Sequence, residues 1–298
     1  MSSPITWSRI RWHLYRSPIA RAVKAARRMA IPGHLNRRRA LLSELPRNAA
    51  IDECAAALET DGHCSVSKLV DPVLRASLSE AAQAKLRRAH DEMSVRQQAN
   101  AKDFWVRLLD EDMQSGRLPL DNPFVAIALQ PELVSVVANA MGEVPRLDYV
   151  LLTLSRSTDK QLSYSQLWHR DHDDTKVIKL FFYLTDVASP GDGPFTFIPG
   201  PESDLLGFRL KSHLSDEQIA RWIPKSAVTA IYAPRLEAFM VNTSRCLHMG
   251  SRVSPSHERL LYTATYFSTP RLYPEPPPRF LLGGNETPLL CTLLTADR

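Results

Sequence analysis

Residues 146–156 read RLDYVLLTLSR, and here the chain changes from helical to strand-like patterning. Apolar residues recur at the two-residue period of a β-strand rather than at the 3.6-residue period of a helix. Five more strand-like stretches follow, separated by turn sequences such as SPGDG. These stretches are residues 177–187, 194–198, 227–233, 237–243 and 260–267. The second half of the chain is therefore predicted to form a β-sandwich or barrel.

The residues before this stretch are predicted to be mainly helical. Asp71 and Pro72 are suited to be the N-cap and first residue of a helix that we expect to reach about Met93. A second helix is expected over residues 131–141, with Gly142 as its C-cap. Helices followed by many strands predict an α+β fold with a mainly β core and N-terminal helices on its flank.

Two later segments depart from the strand series. Residues 201–225 are interpreted as an insertion over the mouth of the barrel, and Ser215 with Gln218 is typical of a capping box that opens a short helix. The chain after Pro270 is rich in proline and is expected to be extended and irregular. We therefore predict a basic N-terminal extension, a main domain and a Pro-rich tail, at residues 1–50, 51–270 and 271–298.

The net charge of +5 is unevenly distributed. The first fifty residues hold eleven Lys and Arg residues against one acid, Glu44, a net charge of +10 that leaves −5 for the remainder. We therefore expect no specific nucleic-acid binding by the main domain. Ile19, Val23, Ala26 and Ala30 follow helical spacing among the basic residues. This pattern allows peripheral contact with an anionic membrane, an organelle transit peptide, or an extension that packs on its own body; we favour the last.

Cysteine usage and hydropathy bear on the compartment. The four cysteines lie far apart without a Cys-x-x-Cys pair, which argues against a zinc knuckle or a disulfide framework and fits a reducing compartment. No apolar run approaches the length of a membrane span. We predict a cytoplasmic protein, with peripheral membrane contact as the open alternative.

A metal-binding pattern stands at Trp168-His169-Arg170-Asp171. In a strand, residues i and i+2 face the same side, so His169 and Asp171 would present an imidazole and a carboxylate together. With a distant histidine such as His248, they have the spacing of a 2-His-1-carboxylate facial triad. That ligand set binds Fe(II) and leaves coordination positions open for O₂ and a chelating co-substrate.

His-x-Asp alone is weakly specific. His172 and Asp174 form a second such pair three residues later, and the chain contains nine histidines. A single histidine is more often a surface or packed residue than a metal ligand. The surrounding sequence has to decide between the two pairs.

Four blocks in this order resemble the phytanoyl-CoA dioxygenase family of Fe(II)/2-oxoglutarate-dependent oxygenases. The resemblance covers roughly residues 55–268, and its blocks are residues 166–171 (QLWHRD), 179–187 (KLFFYLTDV), 193–200 (GPFTFIPG) and 242–252 (NTSRCLHMGSR), followed by Arg259. It implies a double-stranded β-helix (jelly roll, cupin-like) as the fold. It also implies His169, Asp171 and His248 as the metal ligands.

The resemblance further implies Fe(II) as the metal, with 2-oxoglutarate and O₂ as co-substrates. Arg259 falls on the strand after His248, where the family keeps a basic residue for the distal carboxylate of 2-oxoglutarate. A guanidinium binds a carboxylate through two hydrogen bonds and stays charged when desolvated. Arg252 is the structural competitor, expected on a turn or facing solvent. Lys179 and Ser251 are further candidates for cofactor binding, and for Lys179 an orientation toward solvent is an equal alternative.

The chain departs from the family pattern at two positions near these residues. Many members have a small hydroxyl residue two positions after the distal histidine, where this chain has Gly250 followed by Ser251. An aspartate is frequent six residues before that histidine, where this chain has Asn242. Neither departure removes a metal ligand, but both leave the finer contacts to 2-oxoglutarate open.

The predicted function is the hydroxylation of a small-molecule or lipid-like substrate, with conversion of 2-oxoglutarate to succinate and CO₂. One alternative is a cupin-like iron oxygenase or isomerase that does not use 2-oxoglutarate. Another is a non-enzymatic scaffold anchored to a membrane through the basic N-terminus. Retention of Asp171 argues against halogenation, because halogenating relatives lose this carboxylate.

Overall fold

The computed structural model describes residues 18–99, 104–109, 117–207, 212–273 and 278–295, and it places a mainly β core behind a series of helices. The helices are α1 (Pro18–Met29), α2 (Pro32–Ala40), α3 (Ala49–Thr60), α4 (Pro72–Ala99), α5 (Pro123–Ala126), α6 (Pro131–Met141), α7 (Gly200–Leu205), α8 (Asp216–Ala220) and α9 (Pro288–Leu294). The strands are β1 (His63–Ser65), β2 (Trp105–Arg107), β3 (Leu118–Pro119), β4 (Arg146–Arg156), β5 (Val177–Tyr183), β6 (Phe195–Phe197), β7 (Thr229–Ile231), β8 (Ala238–Asn242), β9 (His248–Met249), β10 (Glu258–Phe267) and β11 (Phe280–Leu281).

Two antiparallel sheets form the core. The large sheet has the order β1-β8-β5-β10-β4-β2, and the small sheet has the order β7-β6-β9. Single-residue bridges from His169 to His248 and from Trp168 to Leu214 continue the small sheet beyond β9. The segment that carries His169 therefore lies beside the strand that carries His248.

Aromatic side chains fill the space between the two sheets. Phe181 and Phe239 of the large sheet contact Phe195 of the small sheet, with ring centroids 4.8 and 5.8 Å apart. Tyr183 and Val241 are buried in the same cluster. Because alternate residues of β5 and β8 point into this cluster, the opposite face of the large sheet is free to pack against helices.

The helices cover that opposite face. Buried residues of α6, including Val136 and Val137, belong to a second and larger core with Leu180 and Leu260. This arrangement confirms the predicted α+β fold with a mainly β core and helices on its flank. No single described helix is long and apolar enough to cross a membrane, although the bent pair of residues 123–129 and 131–141 reaches that length and composition.

Local sequence signals agree with several element boundaries. Asp71 accepts hydrogen bonds from the backbone N–H groups of Val73 and Leu74 at the start of α4. Gly142 ends α6 in the left-handed conformation, at φ 71°. Ser215 and Gln218 form the predicted capping box of α8. The strand predicted over residues 146–156 coincides with β4, most of whose residues are buried on both faces of the sheet.

The two ends of the chain each add a helix to the body. After α1 ends at Met29, Pro32 opens α2, because proline is well suited to the first turn of a helix. The expectation of an irregular tail is wrong at Pro288–Leu294, where Thr287 caps α9 by accepting from the backbone N–H of Leu290. Buried Leu293 and Leu294 hold this helix on the core.

The basic helix α1 packs on the body through its charged residues. The Lys24 ammonium forms a buried ion pair with Asp174 and donates to the carbonyl of Ser268. The Arg28 guanidinium makes two hydrogen bonds to the buried carboxylate of Glu143. The described part of the extension is thus attached to its own domain by specific ion pairs, as the favoured interpretation expects.

Replacement of Lys24 by alanine is expected to destabilise the fold by about 3 kcal/mol, because it leaves the Asp174 carboxylate buried without its cation. The measurement is the free energy of unfolding in urea. Arg39→Ala serves as the control, since Arg39 is an exposed cation of α2. A loss below about 1 kcal/mol for Lys24→Ala would show that the ion pair does not hold α1 in place.

Candidate metal and co-substrate site

Backbone pairing between two distant segments builds the site. The N–H groups of His169 and His248 each donate to the other residue's carbonyl at 2.9 Å. The Asp171 N–H donates to the Thr243 carbonyl, also at 2.9 Å. A ligand atom from each of His169, Asp171 and His248 lies within 4.8 Å of the other two. The structure thus brings the three predicted metal ligands together.

Both histidines have the tautomer that a metal ligand needs. The Nδ1 atom of His169 lies 2.9 Å from the Leu167 carbonyl, and that of His248 lies 3.0 Å from the Cys246 carbonyl. A carbonyl only accepts, so each Nδ1 carries the proton and each Nε2 presents a lone pair. The backbone bonds also fix the orientation of each ring, as outer-shell contacts do in metal sites.

The electrostatic environment gives these groups the charge states of metal ligands. Burial and, to a lesser degree, the neighbouring His248 lower the pKa of His169 to about 3, against the opposing effect of Asp171. Burial also lowers the pKa of His248. Although burial favours protonation of Asp171, Lys179 and the two histidines hold its pKa below the usual range. Two neutral imidazoles and one carboxylate suit a divalent metal such as Fe(II).

Lys179 lies beside this cluster. Its side chain points from β5 between the sheets, and Nζ lies 2.7 Å from Oδ2 of Asp171. Burial opposes its charge, but Asp171, Tyr149 and Asp173 outweigh burial and raise the pKa of Lys179 above its ordinary value. Of the two orientations left open, the structure shows the inward one, with the ammonium group on a ligand carboxylate.

Arg259 is a buried cation without a carboxylate partner among the described residues. Its Nη2 donates to Oγ of Ser251 at 2.9 Å, and Nη1 donates to the carbonyl of Gly193. Its Nε has no hydrogen-bond partner in the described structure. Only 2% of the residue is exposed, so burial lowers the pKa of this group. A buried guanidinium that lacks an anion is chemically incomplete and suited to receive one.

The residues around Arg259 leave room for it. Ser251 adopts a left-handed backbone at φ 60°, and its Oγ also contacts Oγ of Ser155 at 3.1 Å. A Cβ atom on Gly250 would lie 3.4 Å from Nη1 of Arg259. Gly193 has φ 67°, and a Cβ atom there would lie 2.8 Å from Val253. A side chain at Gly193, whose carbonyl accepts from Arg259, would therefore clash with Val253, whereas a Cβ atom at Gly250 would make only ordinary contact with the guanidinium.

Arg252 and Asp174, which the sequence offers as alternatives to Arg259 and Asp171, have other partners in the structure. Arg252 donates two hydrogen bonds to Asp216, at 2.7 and 3.0 Å, and one to the carbonyl of Gln166. Asp174 of the second His-x-Asp pair is bound to Lys24 and to the backbone N–H of Leu272. The carboxylate of that second pair is therefore used to attach α1 to the body.

Two aromatic contacts were not foreseen from the sequence. The ring of His213 stacks on that of His169, with centroids 5.3 Å apart, and Phe195 stacks on His248 at 5.4 Å. His213 comes from the insertion that separates β6 from β7, whose sequence gives no signal of this contact. The segment predicted to cover the barrel mouth thus contacts a metal-ligand candidate directly.

No protein-family model matches the sequence, and no curated protein matches it. Solved structures do match. SnoN, a non-heme alpha-ketoglutarate-dependent epimerase from nogalamycin biosynthesis, aligns with a TM-score of 0.54 and 20% identity over 76% of this chain and 83% of its own. AviO1 from Streptomyces viridochromogenes Tue57 aligns with a TM-score of 0.51 and 16% identity over 78% and 100% of the two chains.

EctD from S. alaskensis, in its apoform, aligns with a TM-score of 0.50 and 17% identity over 75% of this chain and 78% of its own. A further SnoN structure contains Fe³⁺, alpha-ketoglutarate and nogalamycin RO, and aligns with a TM-score of 0.51. At these identities the comparisons establish the fold. This chain has the fold of SnoN, AviO1 and EctD, and its His-Asp-His cluster lies between the sheets of that fold.

Proposed function

We propose that this protein is an Fe(II)/2-oxoglutarate-dependent dioxygenase. The observation that carries the proposal is the buried Arg259 guanidinium, which has no carboxylate partner in the described structure and donates to Ser251, three residues after His248 of the His-Asp-His cluster. The cluster is suited to bind a metal, and the unpaired guanidinium is suited to bind the free carboxylate of a dicarboxylate co-substrate. The fold shared with SnoN, whose own structure contains Fe³⁺ and alpha-ketoglutarate, supports this proposal.

In this proposal His169, Asp171 and His248 hold Fe(II). Iron with 2-oxoglutarate and O₂ supplies the oxidising chemistry, in which the keto acid becomes succinate and CO₂. Arg259 binds the distal carboxylate, and Ser251 keeps the guanidinium oriented through its Oγ. Lys179 holds the Asp171 carboxylate, since its ammonium lies 2.7 Å away.

The reaction we propose is hydroxylation of a small-molecule or lipid-like substrate. The sequence blocks around the site support membership of the phytanoyl-CoA dioxygenase family within this fold. Buried aromatic residues between the sheets, such as Phe181 and Phe195, lie on one side of the site, where Phe195 stacks on His248. An apolar wall strengthens the charge contacts of Arg259 and Lys179.

The direct test of 2-oxoglutarate use is turnover of the co-substrate. Full-length protein with Fe(II), O₂ and 2-oxoglutarate is expected to form succinate slowly even without substrate, and Asp171→Ala should form none. Succinate formation separates the proposal from a cupin-like oxygenase or isomerase, which would consume no 2-oxoglutarate. Metal binding without any conversion of 2-oxoglutarate would favour that alternative, and absence of metal binding would favour a non-enzymatic scaffold.

We also propose that the N-terminal region contacts a membrane surface and that the protein is otherwise cytoplasmic. The apolar stripe of α1 points outward in this fold, because the helix packs on the body through Lys24 and Arg28. Ile19 is 55% exposed and Met29 is 75% exposed, and Val23 is exposed beside them. An exposed apolar stripe on a strongly basic segment is suited to an anionic lipid surface.

The pair of substitutions Ile19→Glu and Val23→Glu is expected to lower binding to vesicles containing phosphatidylglycerol by at least tenfold, because it places two anions on the lipid-facing stripe. Co-sedimentation with vesicles measures this effect. Val73→Glu is the matched control, since Val73 is an exposed apolar residue of α4. Equal binding by the pair and by wild type, or no binding by wild type, would contradict the membrane proposal.

A further inference from the structure

A large cavity connects the N-terminal helix with the metal-ligand segment. Its volume is about 910 Å³, and its lining includes Asp171 of the cluster together with Arg21, Lys24 and Arg28 of α1. Helix α1, which the sequence assigns to a separate extension, therefore forms one wall of a cavity that reaches Asp171. This volume is typical of a site for a small organic molecule.

The charged lining holds six cations and four carboxylates, the latter from Glu59, Asp171, Asp174 and Asp204. Six cations face the cavity, and three of them have carboxylate partners: Lys24 with Asp174, Arg28 with Glu143, and Arg245 with Asp204. The remaining three have no bonded carboxylate among the described residues; they are Arg21, Arg170 and Lys176. Glu59 attracts Lys176 and Asp204 attracts Arg170, but neither acid forms an ion pair with that cation among the described residues.

Arg170 and Arg21 each have N–H donors that make no hydrogen bond to the described residues. Arg170 uses its guanidinium on the carbonyls of Arg245, Gly207 and Ser203, which leaves two of its five N–H donors without a described partner. Arg21 is exposed and makes no hydrogen bond or ion pair with the described residues. It lies close enough to repel the charge of Arg170, although Asp204 attracts that charge more strongly.

Like charges held near one another raise the energy of the empty cavity, and an anion bound between them lowers it. Guanidinium groups bind phosphate and carboxylate groups in the same two-pronged manner. Of the three residues of the His-Asp-His cluster, Asp171 lines this cavity, so a molecule whose anion is held by Arg21 and Arg170 would lie beside the segment that carries Asp171.

We propose that this cavity is the substrate site and that the substrate carries an oxyanion, a phosphate or a carboxylate, which Arg21 and Arg170 bind. The inference rests on the proposed function for its link to a reaction. The binding of the anion itself rests only on the cavity and its charges. It narrows the substrate class from any small molecule to an organic anion, and it assigns α1 a part in substrate recognition.

The test is calorimetric titration of full-length protein, under anaerobic conditions with Fe(II) and 2-oxoglutarate, using inorganic phosphate in one arm and acetate in the other. Wild type is expected to bind at least one of the two anions at a single site. Arg21→Gln is expected to weaken that binding about tenfold, the loss of one charge-assisted contact. Tighter binding of phosphate would indicate a phosphorylated substrate, and tighter binding of acetate would indicate a carboxylic acid.

Arg39→Gln is the matched control, because Arg39 is an exposed cation of the same basic region outside the cavity lining. Lys176→Met removes a second cation from the cavity and should weaken binding as well. Absence of binding in both arms, or binding that neither Arg21→Gln nor Lys176→Met weakens, would overturn the proposal. An anion that binds directly to the iron would also be insensitive to Arg21→Gln, because Arg21 is not a metal ligand, and would therefore overturn the proposal.

The visible absorbance of the iron chelate, read in the same samples, keeps the two proposals apart. Anion binding that depends on Arg21 in a sample without the chelate band would sustain the anion cavity and refute the dioxygenase function. A chelate band in a sample without Arg21-dependent binding would sustain the function and overturn the anion cavity.

Discussion

Replacement of His169 by alanine is expected to lower the affinity for Fe(II) by more than about 100-fold, because loss of a group that merely orients a ligand already costs about 10–100-fold. The Nε2 atom of His169 is one of three donors within 4.8 Å of one another. Asp171→Ala should have an effect of the same size, since it removes the anionic ligand. Iron retained after dialysis against a graded series of chelators measures both effects.

His172→Ala is the matched control for this experiment. His172 is the first residue of the second His-x-Asp pair, whose carboxylate is bound to Lys24 instead of facing the cluster. The iron affinity of His172→Ala should therefore stay within about threefold of the wild-type value, a free-energy change of less than about 1.4 kcal/mol. Loss of iron in His172→Ala together with retention in His169→Ala would show that the wrong pair has been assigned.

Replacement of Arg259 by alanine is expected to raise the dissociation constant for 2-oxoglutarate about 100-fold, with iron binding nearly unchanged. Charge-assisted hydrogen bonds to a buried carboxylate are worth about 1.5–3 kcal/mol, and about 2.8 kcal/mol corresponds to 100-fold. The Arg259 side chain contacts Ser251 and Gly193 but none of the three metal-ligand candidates. Titration of the Fe(II)-loaded protein with 2-oxoglutarate measures this constant.

Arg252→Ala separates Arg259 from its sequence competitor. Arg252 forms an ion pair with Asp216, which also accepts from the indole of Trp168, so its loss affects local packing. Its effect on 2-oxoglutarate affinity should be less than tenfold. A larger effect for Arg252→Ala than for Arg259→Ala would reverse the assignment of the co-substrate cation.

The parts of the fold that the sequence predicts well are those with strong local signals. Asp71 with Pro72 and Gly142 define helix ends because capping and left-handed backbone are properties of a few neighbouring residues. The strand Arg146–Arg156 is predicted because apolar residues recur there at two-residue steps, as at Leu147, Tyr149 and Leu151. The His-x-Asp spacing likewise predicts that His169 and Asp171 share a face, and both side chains reach the same cluster.

The parts that the sequence does not predict depend on contacts between distant residues. The apolar stripe of α1 suggests that this face packs inward. Lys24 and Arg28 point inward instead, because they pair with the buried carboxylates of Asp174 and Glu143, which lie more than a hundred residues away in the sequence. The stacking of His213 on His169 depends equally on how the insertion folds. No local pattern encodes either contact.

The most direct test of the central claim is an anaerobic titration of the purified full-length protein with Fe(II) and 2-oxoglutarate, followed by visible absorbance. We predict a weak charge-transfer band that requires both additions and is absent from His169→Ala. Such a band reports 2-oxoglutarate chelated to iron at this cluster. Iron bound at the cluster with no band after saturation with 2-oxoglutarate would contradict the account.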